Sequence, residues 1–147
     1  MKAEDLFPGA WVFENVRIEG GERDWKPTQV TGIDSIYVEL GGLAYTEWNH
    51  TLDDIVDYVK PIPLTPEILR DWFGFENGAF KVSALTLEVY VKPLQVAIKA
   101  KVINGEMKVA ASINVGEFTK MFPIKYVHQL QRLYHALTGE PLKRVDL

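Results

Sequence analysis

The sequence predicts an α+β protein, and three observations favour this class. Short apolar runs separated by Pro and Gly occupy about the first 60 residues, a pattern typical of short strands. The pair Asn104-Gly105 lies between two runs of alternating apolar residues and marks a β-hairpin. Two later segments carry apolar residues at helical spacing. We therefore predict a small N-terminal SH3-like β-barrel lobe, then a short helix, a three-stranded antiparallel meander and a C-terminal packing helix.

The composition is that of a folded globular protein. A chain of 147 residues with 47% hydrophobic and 24% charged residues can bury a core without covalent staples. The sequence has no cysteine, which excludes disulfides, Cys-ligated zinc, iron–sulfur clusters and thiol nucleophiles. The opening MKAEDLFPGAWVF is unlike a signal peptide, and no apolar run reaches the ~18 residues of a membrane helix. We expect a cytoplasmic protein without a membrane partner.

The charge is unevenly distributed along the chain. Residues 1–62 carry 5 Lys and Arg against 12 Asp and Glu, a net charge of −7. Residues 63–147 carry 11 against 8, a net charge of +3. Because phosphate contacts dominate the affinity for nucleic acid, the N-terminal part is the poorer candidate for binding it.

The predicted N-terminal lobe covers residues 1–62, with strands at 10–16, 28–33 and 35–40, each bounded by Pro or Gly. The second lobe, residues 63–147, reads α-β-β-β-α, and whether the two lobes form one continuous domain stays open. Its first helix is well marked. Thr65 can cap its N-terminus, Pro66 suits the first helical position, and Gly74 ends it.

The register of the meander follows from its turns. A type I′ turn at Asn104-Gly105 predicts the pairs Val102–Met107, Ala100–Val109, Ile98–Ala111 and Val96–Ile113. An even-parity loop near Pro93 predicts a second set, Val91–Val96, Val89–Ile98, Leu87–Ala100 and Leu85–Val102, with Glu88 opposite Lys99. Both sets place the apolar residues on one face of the sheet. A slip by one residue in either pairing would turn every side chain to the other face.

The C-terminal stretch KYVHQLQRLYHALTGEPL predicts an amphipathic helix whose apolar side covers the meander. We expect its polar side to face solvent and to be the candidate partner face, formed by His128, Gln129, Gln131 and Arg132. His128 and His135 are seven residues apart, about 10.5 Å along a helix, so they cannot hold one metal ion between them. No metal site is predicted.

Two other groups are candidate binding residues. Trp11, Trp25 and Trp48 could line an aromatic groove that binds a peptide, as in small barrels. Lys99, Lys101 and Lys108 lie on the polar face of the predicted meander, with Lys101 opposite Lys108, and could bind nucleic acid. We rank this second alternative lower, because Glu88 lies among the lysines and Tyr90 is the single aromatic residue there.

Catalytic signatures are missing from the sequence. It contains no Gly-x-Ser-x-Gly elbow, no Walker A loop and no Gly-x-Gly-x-x-Gly fingerprint. We therefore predict no catalytic residues, no cofactor and no enzymatic activity.

Two motifs resemble a family of small uncharacterised bacterial proteins, often encoded on phages or mobile elements. These are PIPLTPEILRDWFGFE and VHQLQRLYHALTGEPL, and the opening EDLFPGAWVF is similar to the start of that family. Members commonly read close to VHQLQNLYFALTGEEL, so Arg132, His135 and Pro141 depart from the pattern. The resemblance implies no activity or ligand. The expected function is a non-enzymatic interaction or accessory protein that binds an unidentified protein partner or itself; the alternative is a nucleic-acid-associated protein.

Overall fold

The computed structural model describes residues 5–17, 21–33, 37–41, 49–51, 58–77, 84–91, 93–114 and 116–147. These residues form two five-stranded antiparallel sheets and two helices, so the predicted α+β class is confirmed. The chain divides into two compact units. The first comprises residues 1–62 and 126–128, and the second comprises residues 63–125 and 129–147.

The sheet of the first unit has the strand order β4-β3-β2-β1-β5. Its strands are β1 (Trp11–Arg17), β2 (Arg23–Ile33), β3 (Tyr37–Gly41), β4 (Asn49–Thr51) and β5 (Val59–Pro61). Consecutive strands β1 to β4 pair in sequence, and β5 returns to the free side of β1. Among the described residues, β4 and β5 stand at the two ends of this order and do not pair with each other.

One side of this sheet forms the core of the first unit. Alternate residues of β1 point to it, and the cluster comprises Leu6, Ala10, Val12, Val30, Val38, Leu40 and Val59, with Phe7 packed against it. The register of β2 shifts between Val30 and Gly32, where a bulge occurs before the pairing with β3 resumes. The opposite side of β1 and β2 carries a different set of residues, among them Phe13 and Trp25.

Helix α1 (Pro66–Phe73) opens the second unit as predicted. The Thr65 hydroxyl accepts the Ile68 backbone N–H at 3.2 Å, and Gly74 ends the helix in the left-handed conformation at φ 74°. Leu69 and Phe73 are buried, and α1 lies against the strand β7 described next.

The sheet of the second unit has the order β10-β9-β8-β7-β6. Its strands are β6 (Glu76–Asn77), β7 (Ala84–Val91), β8 (Leu94–Ile103), β9 (Glu106–Ile113) and β10 (Phe122–Pro123). The predicted pairing of β8 with β9 is confirmed at all four positions. Asn104 and Gly105 both have positive φ, 51° and 79°, as the predicted turn requires.

The predicted register between β7 and β8 is wrong by two residues. The structure pairs Val91 with Leu94, Val89 with Val96, Leu87 with Ile98 and Leu85 with Ala100. Because a shift of two residues preserves the alternation, the apolar side chains keep the predicted face. The polar pairing does change: Glu88 lies opposite Ala97, and Lys99 lies opposite Thr86. The predicted Glu88–Lys99 pair is therefore not formed.

Helix α2 (Val127–Thr138) is present where predicted, but its buried side is rotated. Val127, Leu130 and Tyr134 are buried as expected. His128 and Gln131 are buried too, whereas Leu133 and Leu137 are half-buried. Around the helix axis, at 100° per residue, the centre of the observed buried arc lies roughly 80° from the centre of the predicted apolar arc, towards Gln131.

Candidate binding surfaces

The predicted partner face on α2 does not lie in solvent as a single surface. His128 and Gln131 are each 5% exposed, so the expectation that they face solvent is wrong. The His128 ring stacks on Tyr126, with ring centres 5.8 Å apart and planes at 10°. Gln129 and Arg132 are exposed, but the Gln129 side-chain oxygen accepts the Lys125 backbone N–H at 2.9 Å at the start of the helix. Because His128 and Gln131 are buried, we interpret them as packing residues and not as part of a surface that binds a partner.

The three tryptophans of the predicted groove have different surroundings. Trp11 is buried at 4% exposed, Trp25 is half-buried, and Trp48 lies outside the described residues. Trp11 and Trp25 share one side of the sheet, because Trp25 pairs with Asn15, which has the same parity as Trp11 along β1. Of the described pair, Trp25 is the one that a ligand can reach.

The ammonium group of Lys60 lies between two aromatic rings on this side of the sheet. Its Nζ is 4.2 Å from the Trp25 ring centre and 5.7 Å from that of Phe13. The strand register brings these three side chains together. Phe13 pairs with Lys60 on β5, and Asn15, two residues after Phe13 on β1, pairs with Trp25 on β2. Such cation–π contacts stabilise by ~0.5–1 kcal/mol when exposed and more when desolvated.

A second cation lies on a ring beside this pair. The Arg23 guanidinium carbon is 5.2 Å from the Tyr58 ring centre, and its Nη1 donates to the Asn15 carbonyl at 2.9 Å. Together these residues form what we call the aromatic face: Phe13, Arg23, Trp25, Tyr58 and Lys60. At the described positions of β1, β2 and β5 that point to this side, no carboxylate occurs. The aromatic face is therefore locally positive within a negatively charged lobe.

Sequence reasoning found Trp25 and missed the other members of the aromatic face. Phe13 could have been found, because it has the parity of Trp11 and not that of the buried valines Val12 and Val16. Tyr58 and Lys60 could not, because their place beside β1 depends on a pairing between segments about 45 residues apart in sequence.

The three predicted lysines do lie on one side of the second sheet. Lys101 pairs with Lys108 as predicted, and Lys99 has the same parity as Lys101 on β8. Tyr90 points to the same side from β7 and is 70% exposed. Phe118, 45% exposed, joins them, because the Lys99 Nζ is 5.6 Å from its ring centre. We call this group the lysine face: Tyr90, Lys99, Lys101, Lys108 and Phe118.

Phe118 is positioned by the segment that follows β9. The Thr119 N–H donates to the Ala111 carbonyl at 2.8 Å, and the Ala111 N–H donates to the Thr119 hydroxyl at 3.1 Å. The Ser112 hydroxyl also donates to the Gly116 carbonyl. These bonds attach residues 116–119 to the strand, and no sequence pattern indicated them.

Asp24 and Tyr134 are among the titratable groups whose pKa values are shifted. The hydrogen bond from Lys26 lowers the pKa of Asp24, and the hydrogen bond from the Trp25 backbone N–H adds to this effect. Burial raises the pKa of Tyr134, and the negative charge of Glu140 adds to it. Over the part of the chain that the structure describes, no three His, Cys, Asp or Glu side chains are grouped to hold a metal ion.

A cleft of about 290 Å³ lies between α1 and the apolar side of the second sheet. Its lining includes Leu69, Leu85, Ala100 and Met107, with Arg70 and Lys101 among its polar residues. This volume is at the lower limit of the ~300–1,000 Å³ typical of small-molecule sites. The cleft is large enough for one or two side chains of a partner.

Comparison with known proteins gave no relative: no protein-family model, no curated protein and no solved structure matches the chain. Neither helix of the described residues has the length and apolar character needed to cross a membrane.

Proposed function

We propose that this protein is a non-enzymatic interaction protein that binds a partner protein through the aromatic face. The observation that carries the proposal is the position of the Lys60 ammonium, 4.2 Å from the centre of the half-buried Trp25 ring. Rings and cations fixed together on a sheet are typical of residues that contribute most to binding, where Trp, Tyr and Arg are over-represented.

The chemistry of the aromatic face favours an extended, acidic peptide segment as its ligand. Carboxylates of such a segment can pair with Arg23 and Lys60, both of which are exposed. Its apolar or proline side chains can pack beside Trp25 and Phe13. A nucleic acid is a poorer ligand for this face, because its closely spaced phosphates need more cations than Arg23 and Lys60 alone supply.

The strand order gives further support. A four-strand meander whose fifth strand returns beside the first is also the order of SH3-like barrels, which bind peptides in aromatic-lined grooves. We propose that the first unit is a small barrel of this kind. The resemblance to phage and mobile-element proteins fits an accessory role in the cytoplasm, in which the protein binds a partner protein or a second copy of itself.

Selection from a displayed library of random peptides tests this proposal. We expect wild-type protein to enrich sequences rich in Asp and Glu with interspersed apolar residues or prolines. Trp25→Ala should weaken binding of the selected peptides by about 30-fold, the effect of losing ~2 kcal/mol at a central binding residue. Lys60→Gln should weaken it by about tenfold and flatten its dependence on salt.

Lys125→Gln is the matched control for Lys60→Gln. It removes one exposed positive charge from the second unit and should leave peptide affinity unchanged. Circular dichroism checks that every variant is folded. Selected peptides that bind wild type and Trp25→Ala equally well would show that the aromatic face is not the binding site.

A further inference from the structure

The lysine face carries positive charge that the proposed function does not use. Lys99 lies opposite Thr86 on β7 and Ala110 on β9, and Lys101 lies opposite Ala84 and Lys108. No carboxylate therefore lies directly across from these two lysines. Glu88 lies opposite Ala97 and Glu106 lies opposite Ile103, so the carboxylates on this side of the sheet are diagonal neighbours of Lys99 and Lys101 and not their direct partners.

The Lys101–Lys108 pair is unfavourable in the protein by itself. Two like charges directly opposite each other on adjacent strands destabilise a sheet. A bound anion would reverse the sign of this contribution, since both ammonium groups would then pair with it. The arrangement is the one expected where a polyanion lies across β8 and β9.

Two exposed rings continue the same surface. Tyr90 lies opposite Gln95, at one end of β8. Phe118 contacts Lys99, which is four residues after Gln95 along the same strand. The Lys101–Lys108 pair comes two residues later. From Gln95 to Lys101 the strand advances about 20 Å at 3.3 Å per residue. The rings and the lysines thus form one stripe along β8.

We infer that the lysine face binds single-stranded nucleic acid. Bases stack on Tyr90 and Phe118, and phosphates pair with Lys99, Lys101 and Lys108. Single strands are favoured over duplexes, because stacking on a protruding ring requires a base that is free of its own stack. The net charge of +3 on residues 63–147 favours the encounter. The site lies in the second unit, whereas the aromatic face lies in the first.

Fluorescence anisotropy with labelled oligothymidylate and oligouridylate of about 20 nucleotides, long enough for one binding face, tests this inference. We expect binding at low salt that weakens as salt is added. The double variant Lys101→Gln/Lys108→Gln should lower the slope of log affinity against log salt by about 1.4, or ~0.7 for each lost phosphate contact.

The matched control is Arg132→Gln/Lys143→Gln, which makes the same change in net charge at two exposed positions, one on α2 and one after it. It should leave the slope unchanged. The lysine-face variant should remain folded by circular dichroism, because it removes a repulsive pair.

The rings are tested separately. Tyr90→Ala and Phe118→Ala should each weaken single-strand binding by at least about fivefold, with no effect on a duplex of the same length. Three results would overturn the inference: no anisotropy change even at low salt, equal slopes for the lysine-face double variant and its control, or ring variants that bind single strands as tightly as wild type does.

Discussion

Among single residues, Arg144 connects the C-terminal tail to α1 within the second unit. Its guanidinium carbon lies 3.7 Å from the Trp72 ring centre. The same guanidinium donates to both carboxylate oxygens of Asp146, at 2.9 and 2.6 Å, and the Val145 N–H donates to the Trp72 carbonyl at 2.7 Å. A ring and a carboxylate thus hold one cation in a fixed orientation.

The hydrogen bonds from Arg144 lower the pKa of Asp146. In Arg144→Gln we expect that pKa to rise towards the ordinary value for Asp, because the hydrogen bonds that lower it are lost. A lowered pKa means that the pair stabilises the fold above the ordinary pKa and that this contribution is lost as pH falls through the folded-state pKa. Because Asp146 is exposed, the contribution to the free energy of unfolding should stay below ~1 kcal/mol. NMR titration of the side-chain carboxyl carbons measures the pKa.

Asp24 is an internal control in the same spectra. Its pKa is lowered by Lys26 in the first unit, so it should be unchanged in Arg144→Gln. If Asp146 titrates at the same pH in wild type and Arg144→Gln, the ion pair is absent in solution.

Among the elements, the β8–β9 hairpin depends most clearly on one backbone conformation. Gly105 has φ 79°, and a Cβ placed there would meet no atom within 4 Å. Gly105→Ala should therefore destabilise through the backbone alone, by ~1–2 kcal/mol, the cost of a left-handed conformation for a residue with a Cβ. Gly105→Asn should cost less, because Asn tolerates this conformation as Asn104 does at φ 51°. Urea unfolding of both variants measures the difference, and equal losses would contradict the assigned turn.

The two registers of the meander show what sequence can and cannot specify. Asn104-Gly105 fixes both the length and the type of its turn, so all four β8–β9 pairs were predictable. The β7–β8 loop carries no such pair, and alternation alone determines only which face a residue occupies. The register was therefore predictable to within a shift of two residues.

Helix α2 shows a second limit. Its position and most of its apolar stripe follow from the sequence, as do the caps of α1. The burial of Gln131 and His128 does not follow from the sequence. Helical periodicity identifies the apolar stripe, but packing against the rest of the chain determines how the helix is rotated about its axis. For the candidate sites, Trp25 and the three lysines were predictable, whereas Lys60 and Phe118 depend on contacts made by the folded chain.

At the scale of the whole molecule, neither unit is one continuous segment. Residues 126–128 belong to the first unit, and the Val127 N–H donates to the Ile62 carbonyl at 2.9 Å there. The rest of α2 belongs to the second unit. In that unit the Leu64 backbone N–H donates to the Lys125 carbonyl at 2.8 Å. Adjacent turns of one helix thus contribute to different units.

Hydrogen–deuterium exchange can separate these contributions. Val127 and Leu130 are both fully buried. Val127→Ala should accelerate amide exchange mainly in the strands of the first unit, and Leu130→Ala, at a cost of ~2–5 kcal/mol, mainly in those of the second. The exposed His135→Ala should accelerate neither set. Identical exchange patterns in the first two variants would show that the two units open together.

The return of residues 126–128 to the first unit has a consequence for the living cell. On the ribosome these residues emerge 64 positions after Ile62, about 3 to 13 seconds later at ~5–20 residues per second. Throughout that interval the nascent first unit lacks Val127, a fully buried member. The first unit is therefore begun first, but it becomes complete only after residues 63–125 of the second unit have been synthesised.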